Sequence, residues 1–264
     1  MLSVEVTQRF ADLMSRPEAE VPPDEVALLI AAHARPDLDV AAELAGLDRL
    51  AGGCWAPTLD ALRPYLFVDL GFRGDARDYY DPRNSYLDQV VERRLGIPIT
   101  LSILAMAVGR RLGVPLDGVA MPGHFLLRDR VDPDVFVDPF GGGVALDRWG
   151  CEAMFHALHG ADVDFDAAFL APVGPRVIAA RMLANLRAVF VAAGDRTSLL
   201  WVLRLRTLLP GATPEDRADF ASGLAAVGRF DIAAREYDEA AAGLGGPLGE
   251  ELRRNAARLR SRLN

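Results

Sequence analysis

Only two cysteines, Cys54 and Cys151, occur in 264 residues. They are too few for a disulfide framework and, alone, for a closed zinc site. An apolar signal core is also missing, because Arg9, Asp12, Arg16 and Glu18 interrupt the first twenty residues. Long hydrophobic runs are scarce. The longest, Ile97 to Val108, is broken by Thr100 and Ser102. It is too short to cross a bilayer and predicts a buried helix. Nor is there an excess of positive charge: the formal net charge is −8 and the pI near 5.1. That balance argues against a nucleic-acid backbone or an anionic membrane as the main partner. No GxGxxG occurs, and no Lys-Ser/Thr follows Gly141-Gly142-Gly143, so neither common phosphate loop is present. These absences together lead us to expect a cytoplasmic protein with reduced thiols, no metal and no cofactor.

What is present is ordinary globular composition, 51% apolar and 25% charged, in a chain long enough to bury a real core. From Val4 to about Leu70 the pattern is helical. Val26, Leu28, Leu29 and Ile30 follow a Pro22-Pro23-Asp24 start signal, and Leu38, Val40, Ala41, Leu44, Leu47 and Leu50 recur at helical spacing. A glycine- and aspartate-rich link then leads to Tyr79-Tyr80-Asp81-Pro82. Asn84 or Ser85 can cap the next helix, with Ser85 and Asp88 at capping-box spacing. Pro98 suits the first turn of a further helix, which is apolar on nearly every side and ends at Gly113.

Short β-rich runs come next, at Leu116–Met121, His124–Arg128 and Val135–Asp138. A hairpin centred near Val131 would set His124 opposite Asp138, their Cβ atoms about 5 Å apart. A longer loop would shift that register. From about Arg176 the chain is helical again. Gly194 and Gly228 each lie between two helical runs at the period of a tetratricopeptide repeat.

His124 stands among apolar neighbours in Pro122-Gly123-His124-Phe125, so a core histidine satisfied by one hydrogen bond is one reading. A carboxylate opposite it supports another. Asp138 would orient the imidazole and stabilise the imidazolium, which is the base-and-orienter half of a nucleophilic triad. The natural place for its nucleophile is the first turn of the apolar helix, where a thiol would be activated. That turn reads Gly96-Ile97-Pro98-Ile99-Thr100-Leu101-Ser102, without cysteine. Thr100 and Ser102 are candidate hydroxyls, although such residues in apolar helices often bond back to backbone carbonyls. Cys54, in Gly53-Cys54-Trp55, is the remaining candidate nucleophile. Asp129, Asp132 and Asp134 lack the glycine and distal Glu of an EF-hand loop and read as solvated. Arg93-Arg94 and Arg110-Arg111 suit helix C-termini. Tyr79, Tyr80 and Asn84 either line the same cleft as His124 or lock the turn.

The stretch Tyr65-Leu66-Phe67 to Gly71-Phe72-Arg73-Gly74, then Tyr79-Tyr80-Asp81-Pro82-Arg83-Asn84-Ser85-Tyr86-Leu87, closely resembles the bacterial SirB-type family of transglutaminase-like proteins. Glu92-Arg93-Arg94-Leu95-Gly96-Ile97-Pro98, Pro122-Gly123-His124-Phe125-Leu126 and Val137-Asp138-Pro139-Phe140-Gly141-Gly142-Gly143 continue the resemblance. It covers about Pro36 to Leu146 and extends to a tetratricopeptide-type helical tail. The resemblance implies an α+β fold. Its papain/transglutaminase-like core would combine a central buried helix and a small antiparallel sheet with a helical N-terminal part and C-terminal helical repeats. We therefore expect a transglutaminase-like domain over residues 1–172 and a helical-repeat region over residues 173–264. In active members of that superfamily a Cys–His–Asp triad attacks an amide. His124 and Asp138 match the last two members, whereas the cysteine position falls near Pro98. The resemblance thus implies a pseudoenzyme: a scaffold or regulator that binds a protein or peptide through a cleft, lined by Asn84, Tyr80 and Pro98, and through the repeats. The alternative is a cysteine- or serine-type amide hydrolase or acyl transferase using the His124–Asp138 dyad with Thr100, Ser102 or Cys54.

Overall fold

The computed structural model describes residues 4–262. The chain divides into two compact units, each described by itself. One is Pro17–Met182. The other joins the described residues up to Arg16 to those from Leu183 onward. The division falls ten residues beyond the boundary expected at 172/173, and the first helix groups with the C-terminal helices.

In the larger unit, α2 (Pro23–Ala34), α3 (Val40–Gly52), α4 (Leu59–Pro64) and α5 (Leu87–Arg93) gather with α6 (Pro98–Leu112). Pro23 and Pro98 each open a helix at its first turn, where a missing N–H costs nothing. Gly113, at φ 77°, closes α6 in the left-handed conformation that glycine adopts without steric cost. Nearly every side chain of α6 from Pro98 to Gly109 is buried, as an all-round apolar pattern requires.

An antiparallel sheet carries the strands β3 (Leu116–Val119), β4 (Leu126–Asp129), β5 (Phe136–Asp138), β6 (Val144–Leu146) and β7 (Pro172–Val173) in the order β6-β5-β4-β3-β7. Alternation puts Leu126, Arg128, Phe136 and Asp138 on one face. That face packs on α7 (Arg148–His159), where Leu126 and Phe136 join Cys151, Phe155 and Leu170 in one apolar cluster. A separate parallel pair joins β1 (Arg73–Gly74) to β2 (Leu95–Gly96) just before α6.

Three local expectations need correction. The β4–β5 register pairs Leu127 with Val137 and Arg128 with Phe136, two residues away from the one that sets His124 opposite Asp138. The cause lies in the loop, where Val135 N–H closes a turn on Asp132 C=O and Asp129 N–H bonds Val135 C=O. The Ser85–Asp88 capping box does not form. Ser85 lies in a 3₁₀ turn, Tyr86 is the N-cap of α5, and the Asp88 carboxylate pairs with Arg35. Strands β6 and β7 were not foreseen, being two or three residues long and partly exposed.

The second unit contains α1 (Val4–Ser15), the C-terminal part of α8 (Pro175–Ala193), α9 (Arg196–Arg206), α10 (Pro214–Ala226), α11 (Phe230–Ala240) and α12 (Gly246–Arg260). Gly194 and Gly228 occupy the tight connections α8–α9 and α10–α11 at φ 67° and 79°. Leu203, Phe220, Leu224, Ala233 and Ala256 bury the facing surfaces of the last four helices. Among the described residues, no helix is long and apolar enough to cross a membrane.

Candidate functional site

His124 and Asp138 meet despite the shifted register. His124 precedes β4, in a turn whose Gly123 has φ 75°. Asp138 ends β5. From these positions the imidazole Nε2 lies 2.8 Å from Asp138 Oδ1, with the two side chains 11% and 9% exposed. The same carboxylate oxygen accepts the Phe140 N–H at 3.0 Å, which fixes its aim. A neutral imidazole must therefore donate from Nε2, leaving Nδ1 as the acceptor. Nδ1 has no hydrogen-bond partner among the described residues.

The surroundings hold this pair in place. Phe140 packs edge-on against the His124 ring, centroids 6.1 Å apart, and Tyr79 packs against Phe140 at 5.9 Å. Gly74 lies directly beneath the Phe140 ring and donates its N–H to Phe140 C=O at 3.2 Å. On its other side β1 reaches the start of α6, where Asp75 N–H bonds Gly96 C=O at 3.0 Å. β1 thus lies between the Phe140 segment and the start of α6. His159, at the end of α7, bonds the Pro122 carbonyl through Nε2 at 3.0 Å and so braces the His124 turn from behind.

Of the candidate nucleophiles, neither hydroxyl is brought to His124. Thr100 is fully buried. It donates to Asn84 C=O at 2.6 Å and accepts the Ile97 N–H at 3.2 Å. Ser102, equally buried, donates to Pro98 C=O at 2.8 Å, the back-bonding common for serine inside a helix. Cys54 follows α3, half-buried, with its sulfur 3.4 Å from Ala56 C=O. Pro98 is buried at the first turn of α6.

Asn84 and Tyr80 part company. Tyr80 is 71% exposed, packing its ring against Tyr79. Asn84 is fully buried and locks the 75–93 segment. Its amide donates to Asp75 and to Asp78 C=O, while its oxygen accepts from Arg93 at 3.0 Å. Arg93 also pairs with Asp75 and Asp81. Burial alone would raise Asp75, but the Asp78 N–H, the Asn84 amide, the Arg77 N–H and Arg93 outweigh it and hold the carboxyl below its ordinary range. Burial likewise pushes Tyr79 up against the opposing pull of Arg181. The sequence reading missed Asp75, Phe140 and His159, and took Arg93 for a helix-end cation. Asp75 and Arg93 lie far apart in sequence, and only the parallel β1–β2 pairing reveals their partnership. Among the described residues, no group of three or more His, Cys, Asp or Glu is placed to hold a metal ion.

Residues 24–184 match the family model for the transglutaminase-like superfamily. The chain belongs to that superfamily. A UPF0162 protein of Pseudomonas aeruginosa is 34% identical to this transglutaminase-like chain over 192 residues, 69% of the chain and 70% of that protein. A UPF0162 protein of Xylella fastidiosa is 47% identical over 140 residues, 52% of the chain and 50% of that protein. Mouse F-box only protein 21 is 39% identical over 137 residues, 48% of the chain but 21% of that protein. The transglutaminase-like chain thus spans about half the length of the first curated relatives it matches. No solved structure matches it.

Proposed function

We propose that this chain is a non-catalytic transglutaminase-like protein of the SirB type, a cytoplasmic scaffold or regulator that binds a protein or peptide segment. The observation that carries the reading is where the hydroxyls of α6 are spent. Thr100 and Ser102 both donate to backbone carbonyls at the opening of the helix, and Pro98 occupies its first turn. A His–Asp pair without a nucleophile to activate keeps its orientation but loses covalent catalysis. The fold class does not restore the activity. What such a pair still offers is a fixed acceptor nitrogen beside the Tyr79 and Phe140 rings, chemistry suited to a peptide N–H and an apolar side chain.

The helical tail supports the same reading as tetratricopeptide-type pairs. Gly194 and Gly228, each in the left-handed conformation, mark equivalent turns, and α12 caps the last pair. A 260 Å³ groove lined by Arg187, Leu199, Asp219 and Ser222 gives that surface a recess for an extended segment. The shared segment in F-box only protein 21, a fifth of that protein, fits a portable binding module.

The test pairs the chain with its His124→Ala variant. Both are exposed to serine- and cysteine-directed covalent probes and to an immobilised peptide array. We expect no labelling that depends on His124, and array binding preserved within about fivefold, since one neutral hydrogen bond is worth about 1 kcal/mol. Labelling of Cys54, Thr100 or Ser102 that vanishes in a folded His124→Ala chain would install the alternative, an amide hydrolase or acyl transferase.

A further inference from the structure

A second recess lies on the sheet face that carries α7, at the opposite end from the dyad. It is a pocket of about 330 Å³ lined by Arg128 of β4, Phe136 of β5, Arg148 of α7, Pro133, Asp134 and Leu170. Arg128 and Phe136 are register partners, and the Arg128 guanidinium lies 5.6 Å from the Phe136 ring centroid. Its Nε donates to Pro133 C=O at 2.7 Å, which fixes the plane and leaves both terminal nitrogens available. Arg148 stacks on the exposed Trp149 ring, 5.6 Å from its centroid. Among the described residues neither guanidinium has a carboxylate within ion-pair range. Asp134 is the single carboxylate in the lining, so two cations face one anion.

The position of Arg148 is informative in itself. It is the first residue of α7, the positive end of the helix dipole, where a cation is disfavoured and Asp or Glu would be preferred. The Asp147 side chain already caps the Gly150 N–H, so Arg148 contributes nothing to closing the helix. A residue placed against the local electrostatics, beside a second unpaired guanidinium and over an apolar floor, has the form of a recognition group.

We propose that this pocket binds an organic carboxylate carrying an apolar body about the size of one amino-acid side chain. The carboxylate would sit between Arg128 and Arg148, and the apolar body would rest on Phe136, Leu170 and Pro133. Such a group has two sources: the free C-terminus of a polypeptide or a small carboxylic acid. The pocket is distinct from the dyad and stands whatever the dyad does.

The experiment is calorimetric titration of the full chain with N-acetyl-L-phenylalanine, its primary amide, inorganic phosphate, and a tetrapeptide ending in a free-carboxylate phenylalanine. The acid is expected to bind about tenfold or more tightly than the amide, as loss of a charge-assisted pair predicts. Arg148→Gln should lose about tenfold in that affinity while its melting temperature stays level or rises slightly, because the unfavourable dipole interaction goes with the charge. Arg128→Gln serves as a second variant with its fold checked by circular dichroism. Tetrapeptide binding tighter than the single acid by tenfold assigns the source as a polypeptide C-terminus; equal binding assigns a small acid. Equal affinity for acid and amide would overturn the proposal. So would phosphate binding as tightly as the acid, acid binding untouched by Arg148→Gln, or no binding of any carboxylate to the folded chain.

Discussion

Two thiols of the same chain stand in opposite surroundings. Cys54 is half-buried after α3, whereas Cys151 is fully buried under the sheet. Burial pushes the Cys151 thiol up to about 11, and the carboxylates of Asp147 and Asp138 add to the rise. The reactive species is the thiolate, so iodoacetamide at pH 8 should modify Cys54 alone in the native chain and both cysteines after denaturation. Mass spectrometry of the two digests checks this. The same shift has a stability consequence. The folded thiol stays neutral above its ordinary 9.0, so its contribution is whole below pH 9 and is lost as pH rises from 9 to about 11. Melting temperatures of wild type and Cys151→Ala should differ in alkaline slope over that window, with the variant flatter.

At the scale of elements, the opening of α6 concentrates two polar tasks on one hydroxyl. Thr100 satisfies Ile97 N–H and Asn84 C=O at once, while Ser102 only doubles a bond on the Pro98 carbonyl. Thr100→Val should therefore cost about 1–3 kcal/mol by orphaning buried groups, and Ser102→Ala about 1 kcal/mol or less. Urea melts of the two variants give the comparison. In β1, Gly74→Ala would put a methyl into the Phe140 ring and should cost about 1–3 kcal/mol, with a changed near-ultraviolet signal as the ring yields. This is also where legibility divides. The run from Pro98 to Gly113 announces α6 because propensity, apolarity and both stops agree within fifteen residues. The dyad was legible as a contact but not as a register, since loop 130–134 carries its own turn and displaces the pairing by two. That even shift keeps Asp138 on the face the alternation assigned it. Asp75, Asn84 and Arg93 were not legible as one network, because a parallel two-residue pairing leaves no periodic signature.

For the molecule as a whole, long-range charge pairs join elements that local pattern cannot connect. Asp24, at the first turn of α2, is 1% exposed and receives Arg110 and Arg111 from the far end of α6. The arginines had read as helix-end cations. Their geometry makes them a clamp between α2 and α6. Asp24→Ala should cost about 1.5–3 kcal/mol in a urea melt. The loss stays below that of a fully enclosed pair because Arg110 is 53% exposed and can turn to water. The grouping of the first helix was equally hidden from local reading. Nothing in Val4–Ser15 announces that it groups with helices nearly two hundred residues later.

The close seat of Gly74 under Phe140 carries a consequence for descent. The dependence runs one way: a ring at 140 needs glycine at 74, whereas 140 can shrink first and so free 74. Gly141 has the same dependence on Asp138, whose Oδ2 would lie 2.5 Å from an added Cβ. Lineages that abandon the aspartate are thereby released at 141, and lineages that abandon the aromatic are released at 74. In an alignment, then, these two pairs should vary jointly, and the order in which they decay would date the loss of the dyad relative to the loss of its wall.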